Sequence, residues 1–421
     1  MMTIDRSGLT PQTYTLSNGQ TLHLFPDTAL EIVKIDVTFE AGPYYQSKKL
    51  VAVTTNKLLT EGTLHHSAQE IAEFLDARGI IVETSTNFFT ASVSAYALRR
   101  YVTGLLPLLH EMLAEPAFSQ QEFDICVAKR RQQLSTNLQK TSYVSHNLLY
   151  AALYGEEHPL GTWADVDDTY KVTPDDVRQF YREHYSLGQA QYIVSGHYDE
   201  EILRCFDDCF GHTAAMPLPT PPSVVDPVRR PSSLCSSLPN TVQSTLRIGR
   251  LLPLAWDSEA YARFLVLNTV LGGYFGSRLM ANIREEKGYT YGIYSQTRLL
   301  RGSIVFSICT DVGAADARAA LEEIYGEMQR LCDEPVPEEE LEVVRNYLMG
   351  DFLRSIDGIF ERSERFRQMT ATGIDERFTD FSLHAMEHVT PQQLQALARQ
   401  TLRRELMTQV VVGPADTAAA S

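Results

Sequence analysis

The chain predicts an α+β protein of two homologous domains, each a largely antiparallel sheet flanked by helices. Three pairs of local patterns recur in the same order at an offset of a little over 200 residues, and a proline-rich break separates the two sets. In the first pair, Phe74 to Arg78 reads as a helix end, Gly79 as a turn and Ile80 onward as an alternating strand; Ile283 to Lys287, Gly288 and the residues after it repeat the plan. In the second, the amphipathic stretches Leu105–Glu115 and Leu321–Glu334 each close on Glu-Pro, and each is followed by a helix rich in Arg with Gln or Glu, over 120–138 and 337–353. In the third, Val172-Thr173-Pro174 and Val389-Thr390-Pro391 each offer a threonine N-cap with proline at the first helical position.

The break itself, 215–231, packs six prolines into seventeen residues, which excludes helix and sheet and predicts an extended linker. The expected organisation is therefore an N-terminal domain over 1–214, a linker over 215–231 and a C-terminal domain over 232–421. Composition agrees: 421 residues with 44% hydrophobic and 21% charged side chains are enough for two buried cores. A formal net charge of −16 argues against nucleic acid or an anionic membrane surface as partner. No stretch reaches the roughly 18 apolar residues of a membrane span, the start lacks an apolar signal core, and six scattered cysteines form no CxxC pair. Cytoplasmic localisation with reduced thiols is the expectation. Cys205 and Cys209, four apart, read as buried small hydrophobes because no second pair completes a metal site.

The most informative segment runs from Leu271 to Tyr291. Residues 275–287 are helix-compatible and end on a basic residue, Gly288 can take positive φ, and the following residues alternate like a strand. Arg284 and Tyr291 can thus converge across the turn. A guanidinium and a phenol aimed at one point form a donor pair for a carbonyl oxygen or developing oxyanion; the alternative is a surface arginine and a core tyrosine. Gly272, Gly273 and Gly276 lack dinucleotide-fingerprint spacing and read as close-packing positions.

Ser277-Arg278-Leu279 followed by Arg284-Glu285-Glu286-Lys287-Gly288-Tyr289-Thr290-Tyr291 resembles a segment of the insulinase (pitrilysin) family of zinc peptidases. His158-Pro159-Leu160-Gly161 and the run from Val172 to Tyr185 are similar to another, and the likeness extends from Leu16 to Gly413. The resemblance implies two paired homologous domains, and a substrate-contacting role for Arg284 and Tyr291. Active members carry an inverted zinc motif, HxxEH, on an early helix, with a further glutamate ligand about 75 residues on. Here that helix is 48–59, and its five positions read Val53-Thr54-Thr55-Asn56-Lys57. Valine cannot ligate zinc, asparagine cannot serve as a base, and a lysine ammonium repels the cation. Downstream, Lys129 to Lys140 contains no carboxylate.

A literal HxxEH does occur at His384-Ala385-Met386-Glu387-His388, but it directly precedes Val389-Thr390-Pro391 and only 33 residues follow, too few for the distal ligand. His65 and His66 are adjacent, point to different faces and do not share a metal; His184 is expected to close a helix C-terminus as a cation. The resemblance implies a zinc-less subunit: no metal or cofactor of its own, no activity alone, and a substrate-binding role in a heterodimeric metalloendopeptidase whose homologous partner bears HxxEH. A peptide is expected to add as a strand along Ile80–Thr90. The alternative is a catalytically inactive structural or peptide-binding paralogue.

Overall fold

The computed structural model of the protein describes residues 8–216 and 230–414; of the expected linker, 217–229 lie outside the described residues. Strands β1 (Gln12–Thr15), β2 (Thr21–Pro26), β3 (Ile32–Phe39), β4 (Ile81–Thr86), β5 (Ala91–Leu98) and β6 (Gln191–Gly196) form one sheet in the order β1-β2-β6-β3-β5-β4. Strands β7 (Ser233–Ser237), β8 (Gln243–Leu251), β9 (Ile293–Leu300), β10 (Ser303–Gly313) and β11 (Thr408–Gly413) form a second, in the order β7-β11-β8-β10-β9. Without β1 the two orders correspond strand for strand. Each has one parallel pair, β2 with β6 and β7 with β11, and is otherwise antiparallel.

The helices are α1 (Val51–Leu58), α2 (Ala68–Asp76), α3 (Arg99–Ala114), α4 (Gln120–Asn137), α5 (Thr141–Tyr154), α6 (Pro174–His184), α7 (Glu200–Phe210), α8 (Glu259–Asn268), α9 (Ala317–Asp333), α10 (Glu338–Arg354), α11 (Ile359–Thr372), α12 (Glu376–His388) and α13 (Pro391–Thr401). Their ends follow local chemistry. Thr173 and Thr390 each close a capping box, with Asp176 and Gln393 respectively, and Pro174 and Pro391 occupy the first turn, as their spacing predicts.

Two compact units result. The first holds the described chain to Ser135, the stretch from Ala164 to the linker and Ser355–Ala371; the second holds Thr136–Trp163, the stretch from the linker to Arg354 and the chain from Thr372 onward. Each chain-order half therefore lends one segment, carrying α5 or α11, to the other unit. Strand alternation explains why such a helix is needed. On β3, Val33, Ile35 and Val37 enter the main core with α1, α3, α6 and α7, whereas Lys34 and Asp36 face the other way. Helix α11 covers that second face, setting Ile359, Phe360 and Phe366 against Phe25 and Ile193. On β8, Leu246 and Ile248 join the core of the second unit, and Thr245 and Arg247 face α5 through Thr141 (2.8 Å) and Ser145 (3.3 Å). Burial of each large apolar side chain under such a helix contributes roughly 1.5–3 kcal/mol.

Candidate functional site

Helix α1 is the early helix on which the zinc motif was sought. It starts one residue after Leu50, which takes a left-handed conformation (φ 73°). Val53 is half-buried, Asn56 is buried and Lys57 is exposed. The Asn56 amide donates from Nδ2 to the carbonyls of Ser85 (2.8 Å) and Ser92 (3.3 Å) and to Thr86 Oγ1 (3.1 Å), so it ties α1 to the β4–β5 hairpin. A carboxylate cannot make these bonds, because every partner that takes a hydrogen from Asn56 is an oxygen acceptor. Lys57 closes on Glu61 at 2.6 Å, one turn along the helix. On α4 the region expected to carry the distal ligand presents Lys129, Arg130 and Gln133 to the space next to Lys57. An aliphatic group, an amide engaged as a donor and three cations do not fit zinc.

The Arg284 segment departs in detail from its expected shape. Helical turns run from Arg278, and over Met280–Glu286 they widen to π type, so that Lys287 N–H donates to Asn282 five residues back. Gly288 takes φ +69°, and Tyr289 N–H returns to the Ile283 carbonyl at 3.0 Å, closing the predicted turn. The strand begins only at Ile293, later than the alternation after Gly288 suggests. Thr290 is the reason: its hydroxyl donates to the Asp311 carbonyl (2.8 Å) and accepts from Gly292 N–H (3.1 Å), holding a bend ahead of β9.

Tyr291 consequently lies in that bend and is 94% exposed, so it is not a core residue. Arg284 stacks its guanidinium 4.5 Å from the ring centre of Phe275, itself 62% exposed. Behind this surface the scaffold is rigidly paired. Arg278 grips Glu340 through two hydrogen bonds (2.9 and 2.8 Å), and Asn282 donates to Glu327 (2.6 Å) and Glu323 (3.0 Å).

The remaining histidines serve local contacts. The rings of His384 and His388 meet at a tilt, 4.8 Å between centres, the first facing Glu259 (3.3 Å) and the second Glu387 (3.6 Å), and no metal-holding cluster of three ligand residues occurs among the described residues. His65 pairs with Glu115 (2.9 Å) and His66 with Glu111 (2.8 Å), each on its own carboxylate. His184 corrects an expectation: it ends α6, but burial between Phe180 and Tyr45 pushes its pKa down, so it is not the cation anticipated there.

Strand β4 ends the first sheet, as expected for a peptide-accepting edge, and a cleft of about 590 Å³ runs along it, lined by Lys34, Lys57, Glu83, Tyr96, Glu364 and Arg367 among others. Its floor is a chain of alternating charges: Asp36 to Lys34 (2.9 Å), Lys34 to Glu364 (3.6 Å), Glu364 to Arg367 (2.6 Å). Desolvation works to raise the Glu364 pKa, but the Arg367 hydrogen bonds and charge, with Gln368 and Lys34, hold it at about 2. This network went unread in the sequence. Its one signal was Lys34 and Asp36 at alternate positions of an otherwise apolar strand, and Glu364 and Arg367 arrive from more than 300 residues away.

Comparison with known proteins agrees with this architecture. Residues 26–162 match the model of the insulinase family (peptidase family M16), and residues 171–348 match that of the peptidase M16 inactive domain. A zinc protease of Bacillus subtilis named YmxG is 23% identical over 391 residues, covering 92% of this chain and 94% of that protein. A Helicobacter pylori protein described as a non-peptidase homolog is 22% identical over 327 residues, 75% of this chain and 74% of that one. Two solved structures share the fold: a peptidase M16 inactive domain from Pseudomonas fluorescens (TM-score 0.83, 22% identity, covering 96% of this chain and 98% of that one) and a protease from Helicobacter pylori (TM-score 0.85, 17% identity, covering 96% and 100%). None of the described residues forms a helix long and apolar enough to cross a membrane. With the domain models aligned over most of its length and valine, asparagine and lysine at the motif positions of α1, the chain belongs to the insulinase family M16 as an inactive-type member.

Proposed function

We propose that this chain is the non-catalytic, substrate-binding subunit of a heterodimeric zinc metallopeptidase, completing the active site of a homologous partner that bears HxxEH. One observation carries the reading: α1 has no zinc-ligating residue at the motif positions, while on a braced turn Tyr291 is exposed and Arg284 lies half-buried against Phe275. In the complex the guanidinium and phenol orient the scissile carbonyl toward the partner's zinc, a contribution of up to about 3 kcal/mol per donor when it is realised in the transition state. The extended peptide lies on the β4 edge, which gives main-chain hydrogen bonds without sequence demand. Six free cysteines accord with a reducing, cytoplasmic compartment.

The test is peptide hydrolysis by this chain alone, by the HxxEH partner alone and by the mixture, with zinc content measured in each. Activity is expected only in the mixture, with zinc in the partner. Stoichiometric zinc in the isolated chain, or hydrolysis without a partner, overturns the proposal; an inert mixture favours a structural or peptide-holding paralogue.

A further inference from the structure

The space between α1 and α4, where an active family member would bring its ligands together, is a pocket of about 120 Å³. Its charged lining consists of Lys57, Lys129 and Arg130 against Glu61 and Glu122, around the thiol of Cys126. Glu61 is engaged by Lys57 at 2.6 Å, and Lys129 and Arg130 form no ion pair among the described residues. Those two cations therefore face Glu122 alone, one positive charge in excess. All three cations line the space around Cys126, whose thiol is pushed up by burial and by Glu61 and drawn down by Arg130, Lys57 and Lys129. Lys57 also lines the larger cleft along β4, so the two cavities adjoin at that side chain.

We propose that this pocket is a carboxylate site that receives the C-terminal end of a peptide lying on β4, the lysine and arginine side chains having taken over the positive charge that a metal supplies in active relatives. The assignment of the occupant rests on the peptide-holding reading above. The volume accommodates a carboxylate with several waters, and a carboxylate offers acceptors to Arg130 and Lys129 together. A metal ion is disfavoured by the same charges that attract the anion.

Alkylation of Cys126 in the full chain tests the pocket without any peptide. Rates with anionic iodoacetate and neutral iodoacetamide are compared by mass spectrometry, with exposed Cys235 as internal reference. Cys126 is expected to favour iodoacetate by about fivefold over Cys235, and to lose the preference in the Lys129→Gln/Arg130→Gln double variant. Equal ratios at the two cysteines overturn the pocket. A short extended peptide with a free C-terminus is then expected to protect Cys126 and to bind about tenfold tighter than its C-terminal amide. Equal affinity of acid and amide, or protection by inorganic phosphate as strong as by the peptide, overturns the assigned occupant. An iodoacetate preference with no binding of either peptide overturns the peptide-holding reading while leaving the anion pocket in place.

Discussion

Helix α1 and the Arg284 turn are the two places where the family resemblance puts peptidase chemistry, and their side chains differ in burial and in partners. On α1 the polar side chain at the motif centre, Asn56, is 1% exposed and spends its hydrogens on the β4–β5 hairpin. At the turn Tyr291 is exposed and Arg284 lies half-buried on Phe275, and the pairing is made by other residues, in Arg278–Glu340 and Asn282–Glu327. The difference teaches what each residue is for. A buried amide that satisfies backbone carbonyls maintains the fold, whereas an exposed aromatic on a braced bend buries little surface and adds little to stability, so its side chain is free to meet a ligand.

Substitution should break this symmetry most strongly at Asn56. Asn56→Glu places a carboxylate against carbonyl oxygens and is expected to cost about 4 kcal/mol, read as a fall in thermal midpoint. The triple variant Val53→His/Asn56→Glu/Lys57→His is expected to bind no stoichiometric zinc by metal analysis. A stable variant would mean that α1 is still an accessible site rather than a buttress. Arg284→Ala comes next: about 100-fold lower turnover of the mixture, roughly 3 kcal/mol, with stability changed by less than about 0.5 kcal/mol. Tyr291→Phe should behave alike and more mildly, and unchanged kinetics in both would remove their assigned role. Arg278→Ala leaves Glu340 unpaired and is expected to cost about 2 kcal/mol while also lowering turnover, because the turn loses its brace. A stability loss with unaltered turnover would separate the brace from the site.

The smallest effects concern pH and sharpen the contrast between the two covered sheet faces. In the second unit His146, on α5, is held down to about 4 by burial and by the charges of Arg247 and Arg298. Its folded pKa lies below its ordinary 6.5, so the unfolded chain binds more protons between the two values. The contribution of neutral His146 is present above pH 6.5 and lost as pH falls toward 4, about 2 kcal/mol in all after allowance for its partial exposure. In the first unit Glu364 drops from 4.5 to about 2, so its contribution, about 1–2 kcal/mol, is present above pH 4.5 and lost only as pH falls toward 2. Denaturation at a series of pH values should show His146→Gln flattening the upper window and Glu364→Gln the lower one. Coincident windows would mean that the two faces are not electrostatically distinct.

Much of this was legible in the chain. The paired motifs at Thr173 and Thr390, the helix ends at Glu115 and Glu334 and the turn at Gly288 depend on contacts within a few residues, and local chemistry determined them. The loss of zinc chemistry at Val53, Asn56 and Lys57 was also set by residue type alone, since no fold gives valine a lone pair. Other features depended on which distant segments meet. Only the tertiary structure placed α5 and α11 with the unit opposite to their position in the chain, because a strand with Lys34 or Arg247 on its second face states that a cover is needed but not which helix supplies it. It likewise moved Tyr291 from a strand to an exposed bend through Thr290, whose partner on β10 lies 21 residues away. Sequence thus determined which zinc-ligating side chains α1 lacks, and long-range packing decided where Arg284 and Tyr291 are presented.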